Sequence, residues 1–90
     1  MMEVSEVLAL CRQMDIHCRI FNYGRQINIQ DRSGEWHSYY PTTGTLVFQQ
    51  EHNWSKKHTV RDLRLDESFM REYFLTPDNI KKLFNEEVRR

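Results

Sequence analysis

Apolar residues recur at three- and four-residue steps over residues 3–15. Val4, Val7, Leu8, Cys11 and Met14 form one stripe, and Glu3, Glu6, Arg12 and Gln13 take the other side. This spacing predicts an amphipathic helix, and acids early with Arg12 late suit its dipole. The period then shortens to two. Ile16, Cys18 and Ile20 alternate with His17, Arg19 and Phe21, and Ile27 and Ile29 alternate with Gln26, Asn28 and Gln30. These are strand patterns, the second with one wet face. Glu35 to Tyr40 and Thr45 to Gln49 read as two more strands, rich in aromatic and β-branched residues.

The connections between these strands are short. Tyr23-Gly24, Asp31-Arg32-Ser33-Gly34 and Pro41-Thr42-Thr43-Gly44 carry turn residues. Tight connections of this length join antiparallel neighbours, since a parallel crossover needs a dozen or more residues. Gln50 to His58 is polar and reads as a loop with Trp54 as an anchor. Thr59 is placed to cap a short helix, Asp66 to cap a second start bearing Phe69, Met70, Tyr73 and Phe74, and the pattern leaves one helix or two open. Thr76-Pro77-Asp78 is a helix start, followed by the stripe Ile80, Leu83, Phe84 and Val88. The expected fold class is α+β: an N-terminal helix, a four-stranded antiparallel meander, and two or three C-terminal helices. Helices on one sheet face would make a two-layer sandwich.

Length and charge narrow the function. Ninety residues make one domain, expected to span 1–90. Thirteen Lys and Arg balance thirteen Asp and Glu, so net charge gives no general attraction to nucleic acid or an anionic membrane. At 12% aromatic and no net charge the chain does not fit a disordered composition. No run approaches a membrane span, and the N-terminus lacks a signal peptide's basic head and apolar run. A cytoplasmic location is therefore expected. Cys11 and Cys18 read as small buried hydrophobes and not as a disulfide framework.

Chemistry-bearing patterns are sparse. No pair among Cys11, His17, Cys18, His37, His52 and His58 has zinc-site spacing with a cysteine pair to support it. No serine elbow, activated cysteine or glycine-rich phosphate loop is present. No enzyme activity, cofactor or metal is expected.

Two surfaces remain. A basic cluster at Lys56, Lys57, Arg61 and Arg64, with Trp54 ahead of it, is suited to phosphate contacts from a loop and helix N-terminus over residues 54–64. The run Ser55-Lys56-Lys57 before a helix, after a helix and a meander, resembles the double-stranded RNA-binding domain. That resemblance implies that Lys56 and Lys57 contact phosphates. The second surface is an aromatic and arginine patch on the sheet. Alternation sets Trp36, Ser38 and Tyr40 on one face, and His37 and Tyr39 on the other. The residues expected to bind a partner are Arg25, Trp36, His37, Tyr39 and Trp54, of types enriched at interface hot spots.

The stretch Tyr39-Tyr40-Pro41-Thr42-Thr43-Gly44-Thr45-Leu46-Val47-Phe48 and the helix–meander–helices layout resemble small phage and prophage accessory proteins, including anti-CRISPR inhibitors. The resemblance implies a compact protein that covers a partner's surface. The leading expectation is a non-enzymatic interaction protein that binds and occludes a partner protein, as an inhibitor of a host defence system would. The alternatives are a nucleic-acid-binding domain and a self-associating structural protein, a homodimer formed through an exposed edge strand such as Thr45 to Gln49.

Overall fold

The computed structural model describes residues 2–50 and 56–88, with side chains through residue 85 of the last helix. Val4–Gln13 forms helix α1. The Glu6 carboxylate reaches back to accept the Glu3 N–H at 2.9 Å, which closes the helix start. Five strands follow: β1 (Cys18–Phe21), β2 (Gln26–Gln30), β3 (Trp36–Tyr40), β4 (Thr45–Gln49) and β5 (Lys57–Val60). Each pairs antiparallel with the next, in the order β1-β2-β3-β4-β5. The α+β class and the meander agree with the sequence pattern, with one strand more than expected.

That strand corrects the reading of residues 57–60. Thr59 caps no helix: it pairs with Val47 in the sheet, and Val60 pairs with Leu46. Lys57 and Thr59 turn out while His58 and Val60 turn in. A four-residue strand with two inward positions offers too little alternation to separate it from a helix start. The same strand encloses β4, so Thr45–Gln49 is an interior strand and not the exposed edge expected for a homodimer. The outer strands are β1 and β5.

The second helix starts at Asp66, whose carboxylate accepts the Phe69 N–H at 2.8 Å. Helix α2 (Glu67–Phe69) widens at once into a π-helical turn, Met70–Phe74. Helix α3 spans Asp78–Val88. Between them the Thr76 hydroxyl donates to the Arg71 carbonyl at 2.8 Å and the Asn79 amide to the Glu72 carbonyl at 2.7 Å. These bonds occupy carbonyls left open where the π turn ends.

Register fixes the two faces. Ile29 lies opposite Cys18 and His37, Tyr39 opposite Ile27 and Leu46, and Phe48 opposite His58. All these side chains project to one side, where Val7 and Cys11 of α1, Met70 and Phe74 of the π turn, and Ile80 and Phe84 of α3 close over them in one core. Phe48 is its centre, with the rings of His37, Tyr73 and Phe74 at 5.4, 5.6 and 6.2 Å. Each such buried side chain contributes roughly 1.5–3 kcal/mol. Burial pushes the Cys11 thiol up to about 12, with Cys18 beside it adding to the effect. Among the described residues every helix packs on this side, and none lies on the other. No helix among the described residues is long and apolar enough to cross a membrane.

Candidate functional site

The helix-free side of the sheet carries the alternate residues of all five strands. One row across it is Arg19, Asn28, Ser38, Val47 and Thr59. Trp36 flanks this row on one side and Tyr40 on the other, four positions apart on β3 and so about 13 Å apart along the strand. Both are half-buried. The Arg19 guanidinium lies over the Trp36 ring, 5.0 Å from its centroid. That is a cation–π contact on an exposed strand.

Between the aromatic positions runs a ladder of amides. Asn22 donates to Gln26 at 3.0 Å, and Gln26 donates to Asn28 at 3.0 Å and to the Ser38 hydroxyl at 3.3 Å. Ser38 donates to Asn28 at 3.0 Å and accepts from Gln49 at 3.1 Å. A network of this kind holds its side chains in fixed rotamers while leaving further donors and acceptors on the face. Among the described residues, charge on the strands of this face has one sign. None of the five strands contains an Asp or Glu, whereas Arg19 and Lys57 are on strands and point to this side.

The corner where β1 turns into β2 is unusual. Asn22, Tyr23 and Gly24 all have positive φ, at 53°, 55° and 88°. For Asn22 and Tyr23 the left-handed region costs roughly 1–2 kcal/mol each. Gly24 is needed there, because a Cβ would also meet the Val4 side chain at 3.2 Å. The turn lifts Tyr23 entirely into solvent, next to Phe21, which is 43% exposed; Ile20, opposite Ile27, is exposed on the helix side of the same edge strand. Arg25 follows, and with Tyr40, Thr42, Thr43 and Thr45 lines a shallow hollow of about 390 Å³.

A second cluster lies at the rim of the core. His37 Nε2 is 2.8 Å from Asp31 Oδ2, and both residues are buried. Asp31 Oδ1 accepts from the Ser33 N–H and hydroxyl and from the Glu35 N–H, at 2.8, 2.6 and 3.2 Å. Burial pushes the Asp31 carboxyl up, but the bonds from His37 and Ser33 outweigh it and hold the group below the usual carboxylate range. Asp31, Glu35 and His37 bring ligand-type atoms within 4.8 Å of one another, next to a hollow of about 290 Å³ that Asp31 and Glu35 help to line. The hydrogen bonds argue against a metal. His37 Nδ1 accepts the Gln49 backbone N–H at 3.0 Å, so the ring proton sits on Nε2, directed at Asp31. A metal-bound imidazole needs the reverse, with its other nitrogen donating to an acceptor. For the same reason His37 has no free nitrogen to act as a general base. The pair secures the 31–35 turn to the sheet.

The structure distributes the expected contact residues unevenly. Trp36 is on the helix-free face and Arg25 at its corner. His37 and Tyr39 were expected on the contact surface, and both are wholly buried in the core. Tyr39 donates its hydroxyl to the Leu63 carbonyl at 2.6 Å, and burial pushes its phenol up. The reason is parity: β3 sends 37 and 39 inward and 36, 38 and 40 outward. Trp54 lies outside the described residues. Lys56, Lys57 and Arg61 are exposed, but they flank or belong to a strand, so no helix N-terminus stands behind them. Arg64 pairs with Glu6 of α1, on the other side of the molecule. Glu6 is held below the usual carboxylate range by the Glu3 N–H and then by Arg64. Arg19 and Tyr40 belong to the sheet patch visible in the sequence but were not among the contact residues expected from it, and the amide ladder was missed, although the alternation that puts its members outward was visible.

No protein family, curated protein or solved structure matches the chain.

Proposed function

We propose that the chain is a non-catalytic binding protein whose contact surface is the helix-free face of its sheet, together with the Phe21–Tyr23 corner. The observation that carries this reading is the asymmetry of the two layers. Among the described residues, all the helices pack on one face, while the strands of the other keep half-buried aromatics, arginine and lysine without a carboxylate. Two large apolar side chains, Phe21 and Tyr23, are exposed at one corner, and Tyr23 stands on strained backbone. Strain of this kind persists where surrounding structure imposes it, and it concentrates at functional positions. Binding would act by covering the partner, with aromatic and arginine anchors at the centre and a polar rim. An enzymatic reading has no comparable support, since the buried His37–Asp31 pair has both ring nitrogens occupied.

The test is capture from a lysate of the source cell, with and without nuclease. Wild-type protein should retain a partner that Arg19→Glu and Tyr40→Glu lose and that Arg71→Glu, on the helix layer, keeps. Equal retention by all variants would remove the helix-free face as the contact surface.

A further inference from the structure

We infer that the occupant of the helix-free face is single-stranded RNA. This rests on the proposed contact surface and adds the chemistry of what it takes. The distribution of charge points to an anion. The chain as a whole is neutral, with thirteen acids and thirteen Lys and Arg, yet no acid falls on any strand. Every described carboxylate is on a helix, a turn or a loop. A neutral chain that clears acids from one face while keeping Arg19 and Lys57 there, and Arg25 at the corner, is complementary to an anion.

The arrangement of the aromatics points to unpaired bases. Trp36 and Tyr40 stand at the two ends of the outward side of β3, with amide and hydroxyl groups between them. An open antiparallel sheet with ring side chains spaced along it can stack unpaired bases, and the amides between can bond their edges. A hollow beside each ring gives room for a base: His17, Arg19 and Gln30 line the one at Trp36, and Arg25 and Thr43 the one at Tyr40. Arg19 over Trp36 is a preformed stack. Moved onto a phosphate, its guanidinium would leave the indole face to a base. Duplex bases are already stacked on each other and could not use these rings.

RNA is favoured over DNA by the ladder. Gln26, Asn28, Ser38 and Gln49 supply donors and acceptors side by side, matching a ribose 2′-hydroxyl, which is both.

The experiment is fluorescence anisotropy of the full chain with a labelled, unstructured, mixed-sequence RNA of about a dozen nucleotides. Binding should weaken as salt rises, with log K against log salt falling with a slope of about −2 for three phosphate contacts. Lys57→Glu and Arg25→Glu should each reduce that slope. Trp36→Ala and Tyr40→Ala should each weaken binding roughly tenfold with the slope kept. Lys57 and Arg25 are exposed, so their variants fold whatever Trp36→Ala does. DNA of the same sequence and duplex RNA should bind more weakly, and equal binding by either would overturn the assignment. No RNA binding at low salt, while the lysate partner is still lost on Arg19→Glu after nuclease, would overturn the RNA inference and leave the face as a protein-binding surface. RNA binding that Arg71→Glu abolishes and the face variants do not would overturn both.

Discussion

Replacing Asp31 by Asn is the sharpest test of how the core's edge is held. The substitution is nearly isosteric, yet it leaves no good hydrogen-bond arrangement. With the amide oxygen kept on Ser33 and Glu35, the amide nitrogen faces His37 Nε2–H, donor against donor. Moving the imidazole proton to Nδ1 relieves that clash and creates another with the Gln49 N–H. Rotating the amide sets its nitrogen against the Ser33 and Glu35 N–H groups. Each option leaves a buried donor unsatisfied, and removing one partner of a buried charge-assisted pair costs about 3 kcal/mol. For a domain of this size that is a fall in Tm of about 12–24 °C at pH 7.

The pH dependence follows from the same bond. The Asp31 carboxyl titrates lower in the folded chain than its unfolded value of about 3.9. Its contribution is therefore complete above that value and is lost as pH falls through the folded one. The Asn variant should show a shallower loss of stability in acid. Thermal melts followed by tryptophan fluorescence at pH 7, and urea melts through the acid range, measure the two effects. A Tm within about 2 °C of wild type at pH 7, or an unchanged acid limb, would refute the tautomer assigned to His37.

Tyr39→Phe should cost about 1–1.5 kcal/mol in urea melts by stranding the Leu63 carbonyl, and Tyr39→Ala about 3–5 kcal/mol. Adjacent positions on β4 should differ sharply: Phe48→Ala should cost about 3–5 kcal/mol, whereas Val47→Thr should stay within about 0.5 kcal/mol. Cys11, buried with its thiol pushed up to about 12, should resist alkylation in the native state at pH 8 and react on unfolding, as mass spectrometry of the labelled chain would show. Asp66→Ala should lower stability by about 1 kcal/mol through loss of the Phe69 N–H bond.

Much of the fold was legible because its periods are clean. The 3.6 spacing of Val4, Val7 and Cys11 and the strict alternation of Ile27 with Ile29 name their elements directly. The turn at Pro41–Gly44 and the cap at Asp66 mark boundaries through single residues with a physical reason to be there. Strand β5 was not legible, because Lys57–Val60 offers two inward positions and sits beside a residue, Thr59, that also suits a helix cap. The face assignment failed for a different reason. Alternation separated Trp36 and Tyr40 from His37 and Tyr39 correctly, but hot-spot residue types occur on both faces. Only the helices' positions decide which set is covered. His37 illustrates this: a histidine in an exposed strand is a contact group, while one opposite Ile29 and Phe48 is a core residue needing Asp31. The amide ladder looked like ordinary wet-face polarity in the sequence, and it became a feature only when register aligned Asn28 with Ser38.

The central claim is that the helix-free face is where this chain meets its partner. An amide and indole NMR titration with the unstructured RNA tests it most directly. The Trp36 indole and the backbone of Arg19, Asn28, Ser38 and Val47 should shift together, while α1 and α3 stay fixed. Shifts gathered on α1 and α3 would contradict it, whereas none at a concentration that saturates ordinary single-strand binders would overturn only the RNA assignment.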